Sequence, residues 1–149
     1  MKKIAKFFKQ FFLINDTPSS IAGGAALGIF LGISPGEGVA TALILASLFK
    51  LNRLAAMAGV LATNMWSTVV VMPLAATVGG FLFGESSANL IENFNKTYHL
   101  GLKFFLSKAI LFDIALPLVV GFFVVAGLVS VLAYGLIFLL IKIERGQAR

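Results

Sequence analysis

The stretch Gly32-Ile33-Ser34-Pro35-Gly36-Glu37-Gly38 interrupts a long apolar run of the sequence. The run extends from Ile21 to Phe49, and Glu37 is its only charged residue. Proline removes a helix hydrogen bond, and the flanking glycines permit backbone angles that other residues avoid. The stretch therefore predicts a helix break, with one short helix before it and another from Val39 to Phe49.

The composition around this run is typical of a membrane protein. Of the 149 residues, 59% are hydrophobic and 12% charged, and the mean hydropathy is +0.99; soluble domains carry about 25% charged residues. Apolar blocks cover residues 21–49, 54–83 and 114–141, each longer than the roughly 18 residues that suggest a membrane segment. We expect a single all-α integral membrane domain whose last block is a transmembrane helix.

The lengths of the two halves of the first block leave two paths open. Ile21–Ile33 rises about 20 Å as a helix and Val39–Phe49 about 16 Å, so neither half spans a hydrocarbon core of about 30 Å. The broken pair over residues 18–49 is either one crossing with an interrupted middle or a re-entrant hairpin. Its first helix is predicted to start near Pro18, because Asn15-Asp16-Thr17-Pro18-Ser19 supplies cap-type residues and a proline suited to a first helical turn.

The second block, residues 54–83, has the same organisation. A small-residue half is followed by the polar cluster Asn64-Met65-Trp66-Ser67-Thr68 and a second apolar half. In transporters, paired segments with matched interruptions point to the binding site. The pattern fits either an internal repeat of broken helix pairs or two ordinary kinked spans.

Two patterns in the sequence predict a helix-packing face and a helix at the membrane surface. Glycines at 24, 28 and 32 recur every four residues and predict a helix-packing face, because small residues let helix backbones approach closely in lipid. Over residues 1–16, Lys2, Lys3, Lys6 and Lys9 lie on one arc and aromatic residues on the other. This predicts an interfacial amphipathic helix on anionic lipid headgroups, rather than a signal peptide with its small-residue cleavage site.

The distribution of charged residues predicts which segments lie on each side of the membrane. Residues 1–20, the link Lys50–Arg53 and the tail after Ile141 are net positive, whereas the polar or interfacial connector 84–113 is neutral. A re-entrant first block and a crossing second block place every net-positive segment in the cytoplasm, as the positive-inside rule favours. Three plain crossings would put Lys50 and Arg53 outside, and two re-entrant blocks would put the tail outside.

The sequence offers no catalytic or metal site. It has no cysteine, and His99 has no second ligand candidate nearby. We expect no enzyme activity, metal or cofactor. The basic residues flank apolar blocks rather than forming a stripe, so nucleic acid is not an expected partner.

The candidate substrate-binding residues lie at the two breaks. An ionised side chain near the bilayer centre costs about 2.5–3.5 kcal/mol, so it is normally paired, protonated or facing water. We expect one polar pocket where the breaks meet, formed by Ser34, Pro35, Gly36, Glu37, Gly38, Asn64, Trp66, Ser67 and Thr68. Alternatively, Glu37 caps the following helix at headgroup level.

Residues 19–84 resemble the bacterial membrane family catalogued as domain of unknown function 2062. The resemblance is carried by the glycines at 24, 28 and 32, by Pro35 and Gly38, by Leu51-Asn52, and by Asn64 with Ser67 and Thr68. Met65 stands where the family has proline, and Ala40 where it has glutamine. The resemblance implies a bacterial protein and supports the paired breaks, but it implies no activity.

Together these features predict a multi-pass protein of the bacterial cytoplasmic (inner) membrane, assembled as a homo-oligomer. The favoured hypothesis is a small carrier or lipid flippase working through the polar pocket. The alternative is a non-transporting protein that organises the membrane or binds partners.

Overall fold

The computed structural model describes residues 16–34, 38–64, 67–100 and 108–147, and all regular structure in these ranges is helical. This confirms the predicted all-α fold class for that part of the chain. Two π-helical turns, Ser67–Val71 and Leu111–Ala115, precede the fourth and sixth helices. The main helices are α1 Pro18–Ile33, α2 Val39–Leu48, α3 Arg53–Asn64, α4 Met72–Phe83, α5 Ser87–Thr97 and α6 Leu116–Gln147.

Helix α1 begins and ends where the local sequence predicts. The Thr17 side chain accepts a hydrogen bond from the backbone N–H of Ser20, and Pro18 occupies the first turn, where its missing N–H is harmless. At the other end, the backbone N–H of Ser34 donates to the carbonyl of Phe30. With 16 residues, α1 is about 24 Å long.

Helix α2 returns the chain to the end at which α1 began. The Ser20 hydroxyl donates to the carbonyl of Lys50 (3.4 Å), and the Asn52 N–H donates to the carbonyl of Ser20 (3.1 Å). The residues just after α2 therefore lie beside the first turn of α1. Helices α1 and α2 therefore run in opposite directions, and we call this pair the hairpin.

Helix α3 lies directly against α1, backbone to backbone. A Cβ added at Gly24 would overlap the backbone of Asn52, one at Gly28 that of Ala56, and one at Gly32 that of Val60. These contacts advance by four residues on both helices, so α1 and α3 run parallel. The three glycines, spaced four residues apart, therefore form the surface of α1 that contacts α3.

The second block does not turn back as the first one does. Helix α3 and the segment Val69–Phe83 meet at a bend of 65°. Helix α4 then packs antiparallel on α6, because Ala75 lies against Gly121 and Gly79 lies against Pro117. The two blocks therefore follow different paths, a hairpin and a bent helix pair, although their sequences are organised alike.

Helix α5 closes the end of the bundle opposite the start of α1, which we call the far end. Its only buried residue, Leu90, packs in one cluster with Ala76, Ile114 and Leu118, which ties α5 to α4 and α6. On the exposed face, the Lys96 side chain donates to Glu92, and this hydrogen bond together with the lysine charge lowers the pKa of Glu92. The connector predicted over residues 84–113 thus contains an amphipathic helix.

Helix α6 runs antiparallel to α1 along most of the molecule. Ile21 and Ile141 share one apolar cluster, and Ile33 and Val125 share another. Together with the preceding π turn, this helix provides one apolar segment long enough to cross a membrane, Leu111–Gly146, of 36 residues. The bent pair of α3 and α4 makes a second such segment if it is taken as one span.

Replacing Gly28 by alanine tests the contact between α1 and α3. The added Cβ would overlap the Ala56 carbonyl, and we expect this overpacking to destabilise the protein by about 1–3 kcal/mol. The measurement is the thermal unfolding midpoint of the detergent-purified protein.

The matched control is Gly127→Ala on α6, where an added Cβ meets nothing within 4 Å. We expect Gly127→Ala to leave stability unchanged or raise it by up to about 1 kcal/mol, because alanine is the better helix former. Equal midpoints for the two variants would contradict the packing described for α1 and α3.

Candidate functional site

The ends of α1 and α3 lie side by side. Because α1 and α3 run parallel and start at the same end of the bundle, they also end together, with Gly32 against Val60 and the Thr63 side chain. Beside them, Ile33, Val71 and Val125 share one apolar cluster. We call this region, where Ser34 and Asn64 end their helices, the junction.

Two hydroxyl side chains lie at the junction. Ser34 is buried, with 5% of its surface exposed, and its hydroxyl donates to the carbonyl of Phe30 at 2.8 Å. Thr63 donates in the same way to the carbonyl of Gly59 at 2.8 Å. Each hydroxyl keeps acceptor lone pairs beyond the one bond it donates. Thr63 did not figure among the predicted site residues, although it directly precedes Asn64.

The remaining predicted residues are only partly placed. Asn64 lies at the junction as the exposed last residue of α3, and Gly38 directly precedes α2 with extended backbone angles. Ser67 and Thr68 belong to the π turn before α4 by their backbone. The other predicted residues lie outside the described part of the chain: Pro35, Gly36, Glu37 and Trp66, and the membrane-surface lysines Lys2, Lys3, Lys6 and Lys9.

One buried hydroxyl near the junction has no partner. Ser130 on α6 is 7% exposed, and its oxygen makes no hydrogen bond within the described residues. It lies one helical turn from Ala126, which packs in the same cluster as Ile33. Buried polar groups in proteins are normally paired, so this oxygen is an available donor and acceptor close to the junction.

A second polar site lies at the opposite end of α1, which we call the base. Asn52 is 8% exposed and joins two segments. Its side-chain oxygen accepts from the N–H of Ala55 (2.7 Å) and so caps α3, while its amide nitrogen donates to the Asp16 carboxylate (2.7 Å). Arg145, near the end of α6, donates to the Asp16 carbonyl (2.7 Å). Asp16 thus connects α3 with α6.

Next to these hydrogen bonds is an open cleft of about 560 Å³, which we call the base cleft. It lies between the start of α1, the end of α2 and the start of α3, and its polar lining includes two cations and one carboxylate. The lining residues are Asp16, Ser20, Ala46, Ser47, Lys50, Leu51, Asn52, Arg53 and Leu54.

Sequence reasoning did not find the base site because its partners are far apart in the chain. Asn52 and Asp16 are separated by 36 positions, and Arg145 and Asp16 by 129. The available signals were Asp16 within a capping stretch and the Leu51-Asn52 pair of the family resemblance. Within the described residues, no group of three or more His, Cys, Asp or Glu side chains is arranged to hold a metal ion.

A comparison with protein families gives a match over the whole chain. Residues 1–149 match the family described as "Uncharacterized protein conserved in bacteria (DUF2062)". The chain belongs to the DUF2062 family. The match confirms the resemblance noted for residues 19–84 and extends it to both ends. Neither the curated proteins nor the solved structures give a match.

For this DUF2062 protein, the family match covers the junction and the base equally. It includes the base residues Asp16 and Arg145, which lie outside the stretch that carried the resemblance. The family description names no activity, so any function for either site has to be argued from the chemistry of its residues.

Exchanging the side chains at positions 52 and 16 tests how much the hydrogen bond between Asn52 and Asp16 contributes to stability. Asn52→Asp keeps a capping oxygen but places a carboxylate against Asp16, and we expect it to lower stability by about 1–3 kcal/mol. Asp16→Asn in the same chain provides a new amide donor and should recover most of that loss. The measurement is the unfolding midpoint of the two single variants and the double variant. Purely additive effects would contradict a direct contact between the two side chains.

Proposed function

We propose that this DUF2062 protein is a multi-pass protein of the bacterial cytoplasmic membrane that carries an anionic group through the junction. The group is phosphate or a phosphate-bearing lipid headgroup, so the protein acts as a small carrier or a lipid flippase. The base faces the cytoplasm, and α5 faces the other side.

The surface of α6 supports placement in a membrane. Only 22% of its most apolar window is buried inside the molecule, whereas the core helix of a soluble protein is mostly buried. Many large apolar side chains of α6 are exposed instead, and so are several on α2 and α4. Examples are Leu128, Val131, Leu132, Leu136, Leu139 and Leu140 on α6, Ile44 and Leu48 on α2, and Phe81 on α4.

The charge at the two ends supports the orientation. The base contains the net-positive link Lys50–Arg53 and the end of α6, which follows Ile141. The connector at the far end is neutral. Positive segments remain on the cytoplasmic side, so the hairpin of α1 and α2 enters the membrane from that side and returns to it.

The position of the junction along α6 is the observation that supports the proposal most directly. If residues 114–141 cross the membrane, their midpoint lies near residues 127–128, and the junction packs against α6 at Val125. The ends of α1 and α3 then lie side by side near the bilayer midplane. Irregular backbone at this depth is tolerated only where it is buried in protein or lines a cavity, and transporters bind substrate at such paired breaks.

The polar groups near the junction suit an anion. The start of α2 directs the positive end of its helix dipole toward the hairpin tip. The unpartnered Ser130 hydroxyl lies about one turn from this level and can donate to an anion. The Ser34 and Thr63 hydroxyls can do so only after rotating away from the carbonyls of Phe30 and Gly59, to which they donate. In this proposal Glu37, which lies between α1 and α2 in the sequence, titrates or holds a compensating cation so that an anion can enter and leave.

The test uses proteoliposomes and two anionic probes. One arm measures flipping of fluorescent phosphatidylglycerol by its exposure to an impermeant quencher, and the other measures uptake of radiolabelled phosphate. We expect activity in one arm and at least about a tenfold loss in Glu37→Gln and Asn64→Ala, because each removes a polar group in the membrane interior.

The matched control is Glu85→Gln, which removes a carboxylate on the exposed turn at the far end. It should retain the activity of the unchanged chain. Activity in neither arm, or equal losses in Glu37→Gln and Glu85→Gln, would contradict the carrier proposal. The alternative of a non-transporting, membrane-organising protein would then gain support.

A further inference from the structure

We propose that the base cleft binds the phosphodiester headgroup of an anionic phospholipid from the cytoplasmic leaflet. This inference rests on the membrane placement proposed above, but it does not require transport. The base cleft is separate from the junction, since it lies at the opposite end of α1.

The charges that line the base cleft favour an anion. Lys50 and Arg53 are exposed, and neither makes an ion pair within the described residues. The single carboxylate of the lining, Asp16, already accepts the Asn52 amide. Two cations therefore remain for a ligand, and charge-assisted hydrogen bonds to phosphate are among the stronger polar contacts in proteins.

The walls of the base cleft match the composition of a lipid at the membrane surface. Ser20 and Ser47 provide hydroxyl groups on one part of the lining, while Ala46, Leu51 and Leu54 provide apolar surface next to them. A free phosphate ion has no apolar part to cover this surface. A phospholipid places its phosphate on the cations and its glycerol and first methylenes on the leucines, so the lining favours the lipid.

The backbone at Lys50 gives an independent indication. Lys50 has φ +55°, the one positive value at a non-glycine residue in the described chain. It follows the last turn of α2 in a Schellman-type cap, in which the Leu51 N–H donates to the Ala46 carbonyl at 2.7 Å. This position strongly favours glycine, which adopts the left-handed conformation without strain. A lysine kept in a conformation that disfavours it points to a function for its charge.

Because position 50 favours glycine, Lys50→Gly is the variant that separates loss of charge from loss of stability. Lys50→Gly removes the cation but relieves the backbone, so the variant should fold with an unfolding midpoint no lower than that of the unchanged chain. Arg53→Gln removes the second cation without touching this turn. The control Lys142→Gln removes a lysine exposed on α6 near the same end, which does not line the cleft.

The experiment measures the unfolding midpoint of the detergent-purified full chain against increasing short-chain phosphatidylglycerol. We expect a saturable rise, no comparable rise with phosphatidylcholine, and a weaker effect of inorganic phosphate. Lys50→Gly and Arg53→Gln should each raise the apparent Kd for phosphatidylglycerol roughly tenfold, the effect of losing one charge-assisted contact. Lys142→Gln should leave it unchanged.

Three results would overturn the inference. These are equal stabilisation by phosphatidylcholine, equal stabilisation by inorganic phosphate, and equal weakening in Lys50→Gly and Lys142→Gln. Equal stabilisation by phosphatidylcholine would exclude recognition of the anionic headgroup. Equal stabilisation by inorganic phosphate would assign the cleft to free phosphate. Equal weakening in the two lysine variants would show that the effect depends only on net charge. None of these depends on the transport assay, so failure of this inference and failure of the carrier proposal are distinguishable.

Discussion

The backbones of α1 and α3 touch along the glycines at 24, 28 and 32, and the other features of the structure depend on this contact. Parallel neighbours require the chain to return to its starting end between them, so α2 has to complete a hairpin. Helices that start together and run parallel also end together, which brings the ends of α1 and α3 into one junction. Their common start places Asn52 beside Asp16 and forms the base.

Packing of this kind suits an apolar environment. In lipid, burying apolar side chains gives little advantage, and helices associate through close van der Waals contact and hydrogen bonds between helices. The glycine surface provides the contact. The hydrogen bonds of Asp16 with Asn52 and Arg145 join α3 and α6 where both begin or end in polar sequence. The protein thus combines a close-packed middle with a polar base.

Local sequence features predicted the local structure well. Pro18 and Thr17 marked the start of α1, the Ser34–Gly38 stretch marked its end, and the last apolar block marked α6. The partners across space could not be predicted, because glycine spacing shows that a face packs without showing on what. The similar composition of the two blocks suggested a repeat. The connections at the base and the 65° bend give them different paths.

The path of the hairpin is the central claim, and cysteine labelling in intact cells tests it most directly. The chain contains no cysteine, so single cysteines at Phe49, Ser86 and Gly146 report one position each. The account predicts that an impermeant maleimide labels Ser86 in intact cells and reaches Phe49 and Gly146 only after the cells are opened. Labelling of Phe49 from outside would contradict the account, because the first block would then cross the membrane.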